Sequence, residues 1–94
     1  MQDLLDTFNH YLHHERDASP HTRKNYLADM RHFFLFAFDY QPSMPRQGAE
    51  AIKAVTVELI RSYLAVLLKK HHPASVARKL ASLRTFLHLW VFRV

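Results

Sequence analysis

Apolar residues recur at helical spacing in four stretches of the chain, and a two-residue alternation never holds for more than a few positions. The pattern predicts an all-α protein. Leu4, Leu5, Phe8, Tyr11 and Leu12 form one apolar stripe and predict a first helix from about Asp3 to Glu15, with Asp3 as its cap. The second helix opens at Ser19 and Pro20, an N-cap followed by a residue whose missing N–H would have had no partner there. Its stripe is Tyr26, Leu27, Met30, Phe33, Phe34 and Ala37. A third helix follows Thr56 as N-cap, with Glu58 in the first turn and Ile60, Tyr63, Leu64, Leu67 and Leu68 inward. The fourth starts at Pro73, or with Ser75 as cap, and turns Val76, Leu80, Leu83, Leu87 and Trp90 inward.

Between Tyr40 and Val55 the periodicity lapses into a stretch holding Pro42, Pro45 and the one glycine, Gly48, which reads as the main internal connection. Short links join the first helix to the second and the third to the fourth. The expected assembly is a four-helix bundle of two antiparallel hairpins packed on each other, and 94 residues suffice for one such domain.

Composition adds a direction. Hydrophobic residues make up 49% and charged residues 22%, as in a globular domain. No apolar run reaches membrane-spanning length, and the early acids and histidines interrupt any signal-peptide core. A cytoplasmic protein with no membrane partner is therefore expected. The absence of cysteine excludes disulfides and thiolate metal sites. A net charge of +5 and a pI near 9.9 make a polyanion a natural partner.

A helical wheel places that charge. Opposite the apolar stripe of the second helix lie His21, Lys24, Ala28 and Arg31, flanked by Asn25 and His32, with no carboxylate among them. For the fourth helix the wheel puts Ser75, Arg78, Ser82 and Thr85 outward, with Ala81 beside them. Small residues, hydroxyls and cations make a surface that can approach a phosphate backbone closely. Lys79 and Arg84 lie nearer the edges of the apolar stripe, their stems covering core atoms and their charges reaching out. Leu89 and Phe92 point away from the stripe, so the last turn needs a cover from elsewhere in the fold, from a partner or from a further segment.

Other chemistry is sparse. His10 and His14 have the i, i+4 spacing of a metal chelate, but without a third ligand they read as solvated histidines. One glycine cannot build a phosphate loop, and serine hydrolase signatures are absent. No catalytic residue, metal or cofactor is expected in this chain.

Two stretches together carry a resemblance. In "FNHYLHHERDASPHTRKNYLADMRHFFLF", Glu15, Arg16, Ser19, Pro20, Thr22, Tyr26, Asp29, Met30 and Phe33 resemble the opening of tyrosine recombinases of the Xer and phage-integrase type. In "TVELIRSYLAVLLKKHHPASVARKLASLRTFLHLW", Ser75, Arg78, Leu80, Leu83, Arg84, Thr85 and Phe86 are similar to the second half of the same domain. The resemblance spans about residues 4 to 90. It implies an N-terminal core-binding domain, a SAM-like four-helix bundle whose second and fourth helices grip one face of double-stranded DNA. It also implies partners: a C-terminal catalytic domain outside this chain, which is then part of a longer recombinase, and other protomers in a tetramer on synapsed sites. The family's tyrosine nucleophile belongs to that other domain, so Tyr11, Tyr26, Tyr40 and Tyr63 are not assigned its role.

On this reading Lys24 and Arg78 are the leading DNA contacts, with Thr22, Asn25, Arg31, Ser75, Ser82 and Thr85 in support and Lys79 and Arg84 carried over from the family pattern. Ala81 and Ser82 reverse the family's usual Ser-Ala order. The competing expectations are a helical protein-interaction module using the apolar C-terminal turn, and a helix-turn-helix regulator, for which "KKHHPA" is a poor turn.

Overall fold

A computed structural model describes the backbone of residues 1–93 and the side chains of residues 1–90. The described residues hold five helices and no strand: α1 (Gln2–His14), α2 (Pro20–Tyr40), α3 (Gly48–Lys53), α4 (Val57–Lys70) and α5 (Pro73–Arg93). Two starts follow the capping chemistry directly. Ser19 Oγ accepts from the Thr22 N–H at 3.2 Å, and Thr56 Oγ1 accepts from the Leu59 N–H at 3.1 Å. Pro73 opens α5, and the cap there is His72, whose Nδ1 accepts from the Ala74 N–H at 3.2 Å.

The four predicted helices are α1, α2, α4 and α5, and α3 is an addition inside the long connection. Six residues are too few to display an amphipathic period, so α3 left no pattern to read. Gly48 starts it at φ 69°, a left-handed conformation that favours glycine, and donates its N–H to Asp3 Oδ2 at 2.9 Å. Asp3 thus lies inside α1, whose N-cap is Met1, and ties down the connection instead of capping its own helix. Ala51 and Met44 are buried beneath this connection.

Helix α2 is the centre of the bundle, packed against α1, α4 and α5. Its contacts with α1 run antiparallel, since Arg23 reaches His13 at one end and Arg31 reaches Gln2 at the other. Phe86 of α5, fully buried, stands edge-on to Phe8 of α1 at 5.2 Å and to Phe34 of α2 at 5.5 Å, joining three helices at one ring. Phe33 meets Tyr63 of α4 edge-on at 5.1 Å. Among the described residues no helix is long and apolar enough to cross a membrane.

Two helices are turned relative to their expected stripes. On α4 the buried residues are Leu59, Tyr63 and Leu67, and Leu68 is exposed. On α5 they are Val76, Ser82, Leu83, Phe86 and Leu89, with Leu80, Leu87 and Trp90 only partly covered. The buried arc of α5 is rotated by roughly 60° from the stripe read off its leucines. Leu89 therefore belongs to the core, and Phe92 lies outside the described side chains.

A polar contact joins α2 to α4 at the edge of this core, where the Tyr63 hydroxyl and His32 Nδ1 are 2.7 Å apart. Burial, reinforced by the Asp29 charge, holds the Tyr63 phenol well above its ordinary value of 10.0, so it keeps its proton. Burial, then the positive charges of Lys79 and His71, push His32 below its ordinary 6.5, with Asp29 opposing. The folded chain thus resists a proton on His32 that the unfolded chain accepts, and stability falls as pH drops through 6.5. Thermal melts at pH values above and below 6.5 test this: His32→Gln should lose less stability on acidification than the parent chain, and an equal loss would exclude His32 as a contributor.

Candidate nucleic-acid interface

The polar centre of the molecule is a single carboxylate. Asp29 sits on α2 among apolar neighbours, with a side chain only 1% exposed. Arg78 of α5 donates to it twice, Nε to Oδ2 at 3.2 Å and Nη2 to Oδ1 at 3.0 Å. Lys79 Nζ adds a contact to Oδ1 at 3.3 Å, and the buried Ser82 hydroxyl donates to Oδ2 at 2.8 Å. Four donors from one helix satisfy one acid on another, which is what a buried charge requires. Residues 78, 79 and 82 share a face at helical spacing, so the recurrence that would have exposed Ser82 instead aims it at α2.

This cluster separates the basic residues of α5. The Lys79 side chain is 11% exposed and spends its charge inside, whereas the Arg78 side chain is half exposed and keeps part of its guanidinium at the surface. Lys79 and Ser82, expected to reach outward, are turned to Asp29. The outer face of α5 instead carries Ala77, Arg78, Ala81, Arg84 and His88, with Ser75 and Thr85 half-buried at its margin. No acidic residue occurs anywhere in α5.

On α2 the wheel and the structure agree: His21, Lys24, Ala28 and Arg31 are all exposed. Arg31 Nη2 reaches Gln2 Oε1 at 3.4 Å, on the α1 side of this row. Thr22 and Asn25 are half-buried, and their polar groups have local partners: Thr22 Oγ1 lies 3.0 Å from the Ser19 hydroxyl, and Asn25 Nδ2 lies 3.4 Å from His21 Nε2. His32 is exposed beside them but is held by Tyr63.

The link between α1 and α2 borders the α5 face. Asp17 adopts φ 48°, a left-handed turn that aspartate tolerates, and the Arg16 and Ala18 N–H groups return to the carbonyls of Tyr11 and Leu12 at 3.2 and 2.9 Å. Arg23 ties the link down, donating from Nη1 to the Ala18 carbonyl at 3.1 Å and to His13 Nδ1 at 2.7 Å. Arg16, Ala81, Arg84, Thr85 and His88 then line an open hollow of ≈ 320 Å³.

His10 and His14 do lie side by side at the spacing of a chelate, ring centroids 4.2 Å apart and the rings tilted by 42°. Among the described residues no group of three or more His, Cys, Asp or Glu side chains could hold a metal ion. Desolvation, then the charges of His10, His13 and Arg23, lowers His14 below its ordinary 6.5.

Sequence reading overlooked Asp29 as a structural acid and Arg16 as a neighbour of α5. A signal existed for each: an acid directly beside Met30 in an apolar stripe, and an arginine closing a helix in the Glu15–Arg16 pair.

The chain matches the family described as phage integrase, N-terminal SAM-like domain, over residues 5–92. Tyrosine recombinase XerC of Syntrophus aciditrophicus (strain SB) is 36% identical over 87 residues, which cover 92% of this chain and 28% of that protein. Tyrosine recombinase XerC of Myxococcus xanthus is 35% identical over 86 residues, covering 92% and 26%. Tyrosine recombinase XerC of Halalkalibacterium halodurans is 39% identical over 83 residues, covering 87% and 25%. The chain thus spans about a quarter of the length of these relatives. No solved structure matches it.

The buried cluster generates a stability prediction. Asp29→Ala strands Lys79 and should cost about 3–5 kcal/mol, against about 1.5–3 kcal/mol for Ser82→Ala. Urea unfolding of Asp29→Ala, Lys79→Met and the double variant should show the double to be markedly less destabilised than the sum of the singles. Additive losses would mean that the two side chains are not coupled.

Proposed function

Because this chain belongs to the phage integrase N-terminal SAM-like domain family, we propose that it is the core-binding domain of a site-specific tyrosine recombinase and grips one face of a recombination half-site. In this reading α2 and α5 lie against the duplex, and a catalytic domain of the same cytoplasmic recombinase works from the opposite face. Further protomers then assemble on synapsed sites, as a tetramer.

The observation that carries the reading is the pair of outward rows held together by Asp29. The α2 row from His21 to Arg31 and the α5 row from Arg78 to His88 contain no carboxylate, in a chain with eight acidic residues. A face selected to meet a protein of mixed charge has no reason to exclude acids, whereas a face opposing phosphates does. Ala77 and Ala81 keep the α5 surface low between Arg78 and Arg84. A helix with such a face fits a major groove about 12 Å wide and brings its flanking arginines to the phosphates at the edges.

The contributing residues divide by mechanism. Lys24, Arg31 and Arg84 present charge to the backbone, and Arg78 does so with the part of its guanidinium that Asp29 leaves exposed. Ser75, Thr85, Thr22 and Asn25 sit at the margins, where hydroxyl and amide groups fix register. Lys79 and Ser82 support the site from within, by holding α5 against α2.

Fluorescence anisotropy with a mixed-sequence duplex, read between about 50 and 200 mM salt, tests the proposal. Log affinity should fall linearly with log salt, with a slope of about 0.9 for each phosphate neutralised. Lys24→Glu with Arg31→Glu should weaken binding at least about tenfold and flatten that slope by about two contacts. Affinity indifferent to both salt and this charge reversal would sink the DNA reading.

A further inference from the structure

The hollow between the α1–α2 link and α5 sets Arg16, which belongs to neither outward row, beside the C-terminal part of the α5 row. Arg84 and His88 stand one turn apart on α5, Thr85 adds a hydroxyl, and Arg16 approaches from the link. Ala81 contributes only a methyl group at the wall, leaving room for a ligand atom to approach the helix. No carboxylate lines the hollow. Two arginines line ≈ 320 Å³ of open space, and planar guanidinium forks match the oxygens of a phosphate in pairs.

Arg16 is also held in place by its backbone. Its N–H is bonded to the Tyr11 carbonyl, the next residue is locked in a left-handed turn, and Arg23 grips the Ala18 carbonyl beyond it. The side chain starts from a rigid base, so less freedom is lost when it closes on a ligand.

We propose that this hollow is a phosphate site, in which Arg16 and Arg84 take the non-bridging oxygens of one phosphodiester of the DNA backbone while Thr85 and His88 line its wall. The inference rests on the DNA-binding reading and extends it from the α5 row to the α1–α2 link. It makes the α1–α2 link a third contacting element, alongside α2 and α5, and Arg16 the anchor that fixes how far along the duplex the domain sits.

The experiment uses the full chain and two probes, a mixed-sequence duplex about three helical turns long and inorganic phosphate at matched ionic strength. Arg16→Gln should weaken duplex binding about fivefold and flatten the salt slope by about 0.9, one phosphate contact. Arg16→Lys should recover the slope but not all of the affinity, because a lysine keeps the charge without the fork. In amide spectra the duplex should shift Arg16 and Thr85, and inorganic phosphate should do so only at far higher concentration. Since Arg16 is exposed, a thermal melt of each variant should match the parent. An unchanged slope for Arg16→Gln, with Lys24→Glu and Arg31→Glu still impaired, overturns the hollow and leaves the DNA reading standing. Loss of effect in both variants overturns the two together. Inorganic phosphate as potent as the duplex would assign the hollow to a free anion and overturn the backbone assignment.

Discussion

One carboxylate sets the geometry of this domain. Asp29 is buried on the central helix and takes four hydrogen bonds from three residues of α5, a demand that only one rotation and one height of α5 can satisfy. Replacing such a cluster by fitted apolar side chains can leave a protein equally stable, so its value is better sought in specificity of arrangement. Leucine and phenylalanine contacts between α2 and α5 tolerate small rotations. A carboxylate surrounded by fixed donors does not, because each misplaced donor leaves a buried charge short of a partner. The turn of α5 away from its leucine stripe, with Leu89 and Ser82 inward and Leu80 and Leu87 half out, follows from that requirement.

The same cluster decides what the positive charge is for. A net charge of +5 could be spread evenly over the surface, but the fold draws Lys79 in and leaves Lys24, Arg31 and Arg84 out, with Arg78 shared between the interior and the surface. Arg78 is tied by Nε and Nη2, which holds the plane of its guanidinium and spares its remaining N–H groups for a ligand. Orientation of that kind lowers the entropy lost on binding without adding a contact. Internal packing and the charged surface are thus coupled through a single side chain.

Peripheral contacts extend this arrangement. Ser19 starts α2 and Arg23 pins the link before it, so the position of Arg16 beside α5 is inherited from the cap and the turn. On the other flank Tyr63 holds His32, and burial, then Lys79 and His71, push that imidazole below its ordinary pKa at the α2–α4 seam. Gly48 and Asp3 close the long connection over α1, where the left-handed backbone at Gly48 explains why the chain's one glycine is found there.

Much of this was written in local chemistry. The four long helices, the caps at Ser19 and Thr56, the stripe of α1 and the exposed row of α2 depend on spacing along one helix and on residues within a turn of each other, which periodicity reports directly. Family likeness was legible for the same reason, since it lies in ordered local motifs covering nearly the whole chain. The rest required the third dimension. Nothing near Asp29 in sequence shows that its partners stand some fifty residues away, that Ser82 is buried, or that Arg16 and Arg84 line one hollow. An isolated helix can be divided by hydrophobicity alone. When a buried acid on a neighbouring helix outbids a few half-covered leucines, the face that turns inward is decided by the pair, and only the packed structure contains the pair.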